Sequence, residues 1–370
     1  MPRRIARTVF TAISPVIVIV AVAGAFSGAC SRDWSARSDG GMVASACPEA
    51  TAAGVRVLEE GGNAVDAAIA VGFALAVSYP AAGNLGGGGF MLIRLAGGET
   101  GFIDFREKAP MQAHRDMYLD RDGNVIEDLS VRGHLASGVP GTVAGLWKAH
   151  RMYGSKDWAE LLAPSIELAG RGFIVAPYLA SSLEKLHARL DRWPGLGKFF
   201  GDAGMPLKPG EILVQPDLAS TLSLIAQQGR DGFYSGRTAE LIDAEMRRGG
   251  GLLTGDDLTS YEAVEREPIR GSYRGFVVIS APPPSSGGIV LLEMLNILEG
   301  YEFGREREIG TIHTVIEAER RAYADRARWL GDSDFVEIPV SALISKEYAD
   351  DLRKHINYMA TPSFDLKGQE

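Results

Sequence analysis

Apolar residues recur at helical spacing from Glu49 to Glu60, and the Gly61–Gly62 pair that follows marks the end of a helix. A second helix begins at once. Asn63 has a side chain suited to cap it, and Asp66, three positions on, places a negative charge at the positive end of the helix dipole. The body of this helix, Ala67 to Val77, is apolar on every side, which predicts burial between layers. Pro80 closes it, and the loop Ala81 to Gly89 leads into Phe90–Leu95, which reads as a buried strand. Gly97 and Gly98 turn the chain, and Thr100 to Phe105 returns as a hairpin partner that delivers Arg106 at a strand end. Helical patterns follow at 142–152, 158–169, 216–228, 237–247 and 311–330, separated by loops rich in Gly and Pro. A strand from Phe276 to Ser280 must stop at Pro282, Pro283 and Pro284.

Composition narrows the function class. With 370 residues and 46% apolar content the chain can bury a sizeable core, and a formal net charge of −9 offers no extended basic surface for nucleic acid. The first residues carry a separate message. Arg3, Arg4 and Arg7 precede an apolar run from Val16 to Phe26, and Ser27, Gly28 and Ala29 supply a small-residue cleavage site, so 1–29 reads as a secretory signal and the protein as periplasmic or secreted. Residues 30–41 read as a flexible tether and 42–370 as one domain. Cys30, at the cleavage point, is a candidate for lipid attachment, the one route to a membrane that the sequence offers. A Cys30–Cys47 disulfide and two unpaired thiols are the alternatives. Two cysteines without a His cluster make no zinc site, and nothing in the chain calls for a metal or cofactor.

Four consecutive glycines, Gly86 to Gly89, need a structural reason, because they cost backbone entropy. No Gly-Lys-Ser/Thr follows and a strand comes next, so close packing against another segment is favoured over a phosphate cradle. The Arg106 guanidinium can hold a carboxylate through two parallel hydrogen bonds, although on spacing alone a salt bridge to Asp104 or Glu107 is the simpler reading. The stretch His134 to Leu146 reads as a turn feeding a closely packed helix, and it lacks the Gly-x-Ser-x-Gly elbow that would make Ser137 a nucleophile. Ser285 and Ser286 read as caps of the helix starting near Gly288, and Asp120, Asp122 and Asn124 as a tight surface turn and not a calcium loop. Glu317, Glu319, Arg320, Arg321, Asp325, Arg326 and Arg328 read as a solvated helix face laced with local ion pairs.

Taken in order, Gly61 to Ala68, Asn84 to Met91, Phe105 to Pro110, Ser137 to Leu146 and Pro282 to Gly288 resemble the γ-glutamyltranspeptidase family over nearly all of residues 42–360. The resemblance implies an α+β fold of the N-terminal-nucleophile hydrolase class. In that αββα sandwich two antiparallel sheets lie between helix layers, and this large-chain portion is completed by a small chain cut from the same precursor. It implies an exported γ-glutamyltransferase/glutathione hydrolase, a zymogen matured by autoprocessing. A threonine at the head of the small chain then forms an acyl-enzyme and passes the γ-glutamyl group to water, amino acids or peptides. Arg106 matches the arginine that grips the α-carboxylate of the donor, glutathione or a conjugate, which reverses the reading from spacing alone. Lys108 stands where an arginine is common, a change of little weight if the side chain only meets solvent.

The nucleophilic threonine is expected after Glu370, so the chain by itself is expected to be inactive, with Phe364 to Glu370 as the end of a large chain. Two other readings compete: a related cephalosporin (glutaryl) acylase on the same scaffold, and a truncated, non-catalytic partner or degenerate subunit.

Overall fold

Pro48, with Glu49 beside it in the first turn, starts helix α1 (Pro48–Glu59) in the computed structural model, which describes residues 37–187, 197, 204–304 and 308–366. The chain divides into two units, 1–42 and 43–370. Of the first, only 37–42 are described, and they form neither helix nor strand. The expectations for the signal segment, for Cys30 and for residues 367–370 therefore lie outside the described residues. Cys47 is a free, buried thiol 2.9 Å from the Ser78 hydroxyl.

Helix α2 (Ala64–Ser78) is capped as its sequence predicts, and more tightly. Asn63 Oδ1 accepts from the N–H groups of Val65 (2.8 Å) and Asp66 (3.0 Å), while Asp66 Oδ2 accepts from Asn63 N–H (2.9 Å), closing a capping box. Asp66 does a second job. Although burial opposes it, the Ser155 hydroxyl and the N–H groups of Asn63, Ser155 and Lys156 hold its carboxyl below the usual carboxylate range. The Ser155 bond ties the start of α2 to the loop between α3 (Thr142–Tyr153) and α4 (Trp158–Arg171). Apolar on all sides, α2 packs against α1, α3 and α4, and Ile69, Phe73 and Val77 are fully buried. Trp158 meets Phe73 edge-on and donates to Ile225 O (2.9 Å), which joins α4 to α6 (Pro216–Gln228). Helix α5 (Pro177–His187) precedes α6, with a two-stranded ribbon of β3 (Phe173–Ile174) and β4 (Ile212–Leu213) around it.

The strand pairs among the described residues are antiparallel. β1 (Phe90–Arg94) pairs with β2 (Thr100–Asp104), which takes β5 (Val264–Arg266) on its other side, while β6 (Ile269–Tyr273) and β7 (Phe276–Ser280) form a hairpin. Between β4 and β5 the chain adds α7 (Asp231–Tyr234), α8 (Gly236–Gly249) and α9 (Gly255–Ser260). After β7 come α10 (Gly287–Glu299), α11 (Ile309–Trp329), α12 (Val340–Leu343) and α13 (Lys346–Arg353), with α10 packed on the hairpin and α11 on α10. The result is an α+β arrangement whose strands lie between helices and open faces.

Two expectations are corrected here. β1 is an edge strand with one face in the core: Ile93 is buried, but Leu92 is 45% exposed and Phe90 36% exposed. An apolar run suggests cover on both sides, and this chain covers one. On α11 the charged residues are not all solvated. Glu317 is 1% exposed and Arg321 4%, because a strap at 355–363 crosses the helix and covers them.

Another buried carboxyl lies one helix away. Glu293 on α10 has Oε1 without a hydrogen-bond partner among the described residues, and burial first, then the Asp325 carboxylate on α11, raises its pKa; Asp325 itself accepts from the Tyr348 hydroxyl (2.7 Å). Folded protein therefore holds this proton above the unfolded-state value of about 4.3, so stability is fully present below that pH and declines as pH rises. Glu293→Gln is expected to remove that slope, and its advantage in urea-unfolding midpoint should widen from about pH 5 to about pH 8. An equal difference at both pH values would contradict the protonated state.

Candidate active site

Arg106 stands just past the end of β2, and its backbone is held on every side. Its N–H donates to Asp104 Oδ1 (3.1 Å), and its carbonyl accepts from the Tyr261 hydroxyl (2.8 Å). The preceding residue, Phe105, exchanges both backbone hydrogen bonds with Gly89 (3.0 and 3.2 Å). Glycines make this crowding possible. A Cβ on Gly88 would come within 2.9 Å of Arg106 Cα, and one on Gly141 would collide with Phe105 O and the Tyr261 hydroxyl. The glycine loop and the His134–Leu146 segment thus converge on one short stretch of chain. Gly87 O accepts from the N–H groups of Gly141 (2.7 Å) and Thr142 (3.0 Å), and Lys108 pairs with Val139.

A cavity of about 510 Å³ opens beside this stretch. Four cations line it, Arg106, Lys108, Arg266 and Arg326, and four carboxylates, Asp104, Glu107, Asp332 and Asp334. They are not equally available. Arg266 is committed: Nε donates to Asp104 Oδ2 and the two terminal nitrogens to the two oxygens of Asp334, each at 2.8 Å. Asp334 above all raises the pKa of Arg266, and Arg266 in turn lowers that of Asp334. Arg326 donates to the Ser286 hydroxyl (2.9 Å), and Lys108 Nζ sits 5.5 Å from the centroid of the Tyr261 ring. Among the described residues, the Arg106 guanidinium has no hydrogen-bonding or ion-pair partner, and its side chain is exposed. The local salt bridge to Asp104 or Glu107 does not form; Asp104 accepts instead from Arg266 and from the Arg106 N–H.

Tyr261 completes the frame. Burial, then the nearby Tyr234, raises the pKa of its phenol, so it remains a neutral donor to Arg106 O. Its ring stacks on Tyr234 at 5.8 Å and 7°, and Tyr234 donates to Pro140 O (2.7 Å).

A family model described as Gamma-glutamyltranspeptidase matches residues 50–369. The chain belongs to the γ-glutamyltranspeptidase family. It is 50% identical over 327 residues to a glutathione hydrolase proenzyme from Pseudomonas sp. (strain A14), covering 86% of this chain and 56% of that protein. An acylase ACY 1 proenzyme from Pseudomonas sp. (strain V22) is 43% identical over 321 residues, 85% of this chain and 58% of that protein. The solved Helicobacter pylori γ-glutamyltranspeptidase superposes with a TM-score of 0.88 at 45% identity, covering 90% of this chain and 97% of that chain. This chain spans a little over half the length of the curated relatives it matches.

For a γ-glutamyltranspeptidase chain, the sequence motifs sort cleanly. The glycine loop and the Ser137–Leu146 stretch are the packing that shapes the Arg106 loop. His134 and Ser137 form no dyad among the described residues: His134 Nε2 lies 2.9 Å from Glu245 Oε1. Asp120 makes the expected turn, accepting from the N–H groups of Asp122 and Asn124 (2.9 Å each). Ser286 holds the N-cap position of α10, but its hydroxyl is turned to Arg326 and caps nothing. Lys108 faces a tyrosine ring as well as solvent. Sequence patterns do not reveal Tyr261, Arg266 and Asp334, since no local motif marks them and their partners are 155, 162 and 68 residues away.

Proposed function

We propose that this chain is the large component of an exported γ-glutamyltransferase/glutathione hydrolase, working on glutathione or its conjugates with a second chain of the same precursor. The observation that carries the reading is the Arg106 guanidinium, without a partner among the described residues, on an immobilised backbone beside a cavity. A fork of donors in that setting suits a substrate carboxylate, and the fixed backbone lowers the cost of orienting it. The second chain supplies a threonine whose hydroxyl attacks the γ-carbonyl; the amide C–N bond breaks, the amine leaves with a proton, and water or another amine then displaces the threonine oxygen from the acyl-enzyme. Two points support a two-chain enzyme: relatives called proenzymes, and apolar side chains left open on β1 and at Phe276 (74% exposed) and Val277 (72%).

The acylase reading differs in one functional group, since a glutaryl amide is a γ-glutamyl amide without its α-amino group. The cavity favours the amino form. Glu107 and Asp332 line it without a cation partner among the described residues and can receive an ammonium. Production of the complete precursor, followed by kcat/KM for a γ-glutamyl anilide and a glutaryl anilide, tests this. The γ-glutamyl compound is expected to be preferred; preference for the glutaryl compound would make the protein an acylase, and cleavage of neither would leave a non-catalytic subunit.

A further inference from the structure

We propose that Asp104 is a positioning residue for Arg106, itself held in register by an Arg266–Asp334 brace. This deepens the reading of Arg106 as the carboxylate-binding group and rests on it. Asp104 is the last residue of the central strand β2, paired with Val264 of β5, and its side chain is nearly buried. One oxygen takes the Arg106 N–H and the other takes Arg266 Nε. Arg266 sits two residues further along β5 and closes a bidentate pair with Asp334 in the loop after α11. The strand end, the neighbouring strand and the 331–336 loop are therefore joined through the Arg266 guanidinium and the carboxylates of Asp104 and Asp334, at the point where the chain must launch the Arg106 side chain.

Only a carboxylate serves both donors. An asparagine has one oxygen, so if it accepts from Arg106 its NH2 group faces Arg266 Nε–H, donor against donor. Arg266 has a similar constraint, because a lysine cannot reach two carboxylates with a planar fork. Loss of either residue leaves Arg106 present and charged but on a less firmly held backbone, with the carboxylate of the donor bound less often in the productive pose.

The test uses the complete, matured enzyme carrying Asp104→Asn or Arg266→Lys, with a γ-glutamyl anilide and a 4-aminobutyryl anilide, which lacks the α-carboxylate. Each variant is expected to raise KM for the γ-glutamyl donor about ten-fold with kcat changed less than about two-fold, and to leave the slow 4-aminobutyryl reaction unchanged. Equal losses on both donors, or no loss on either, would overturn the positioning role. If the unmodified enzyme ignores γ-glutamyl donors, the proposed function fails first. Amide hydrogen exchange at Arg106 then decides the positioning separately: faster exchange in Asp104→Asn supports it, and an unchanged rate overturns it.

Discussion

Arg106→Ala, in the assembled two-chain enzyme, is expected to lower kcat/KM for γ-glutamyl donors about thirty-fold to several thousand-fold, or roughly 2 to 5 kcal/mol of transition-state binding. The size follows from what the side chain does not do in the free chain. Its guanidinium is tied to no partner among the described residues, so the substitution breaks no internal ion pair and should leave folding intact. The whole loss then falls on the substrate carboxylate, which has nothing to replace a two-pronged contact. Arg106→Lys keeps the charge but not the fork, and should recover only part of the rate. Steady-state kinetics with unchanged values in Arg106→Ala would remove the residue from the site.

The second large effect belongs to stability. Glu317→Ala is expected to destabilise the fold by about 3 to 5 kcal/mol, because it leaves the buried Arg321 guanidinium without its counter-charge. Around Glu317 the donors are saturating: Arg321 at 2.7 Å, Arg320 at 2.5 Å and the Thr361 hydroxyl at 2.6 Å. Arg320 and Arg321 also reach past it to Thr361 O (2.6 Å) and His355 O (2.7 Å), bolting the 355–363 strap to α11. Burial opposes the charge, yet Thr361, Arg321 and Arg320 bring the Glu317 pKa down to about 2. The stabilisation is thus complete above the unfolded value of about 4.3 and is lost as pH falls through about 2. Urea unfolding at neutral pH, with hydrogen exchange across 355–363, measures both consequences. A loss below about 1 kcal/mol with the strap still protected would mean that the network is not what holds it.

How much of this is legible along the chain depends on the reach of each interaction. The two side chains of the Asn63–Asp66 cap are three positions apart, so their spacing is enough to reveal it. The β1–β2 hairpin needs only its own pattern and Gly97–Gly98. The glycine runs announce a close approach without saying to what, since the answer, Phe105 to Glu107, lies some twenty residues further on for Gly88. On α11 the pattern of charges is clear but points to the wrong surroundings: helical spacing does not say which face a distant strap will cover. For Ser286 the sequence indicates the position correctly and not the hydroxyl's partner, Arg326.

By itself, then, the sequence determined the family, the main helices and the central hairpin that ends at Arg106, because these rest on short-range hydrogen bonds, hydrophobic period and ordered motifs. Tertiary structure alone decided that Arg106 has no side-chain partner among the described residues, that Asp104 and Arg266 are joined, and that Glu317 is buried. Each of those outcomes is a competition for a limited number of donors and acceptors among groups far apart in the chain, and only folding brings the competitors together.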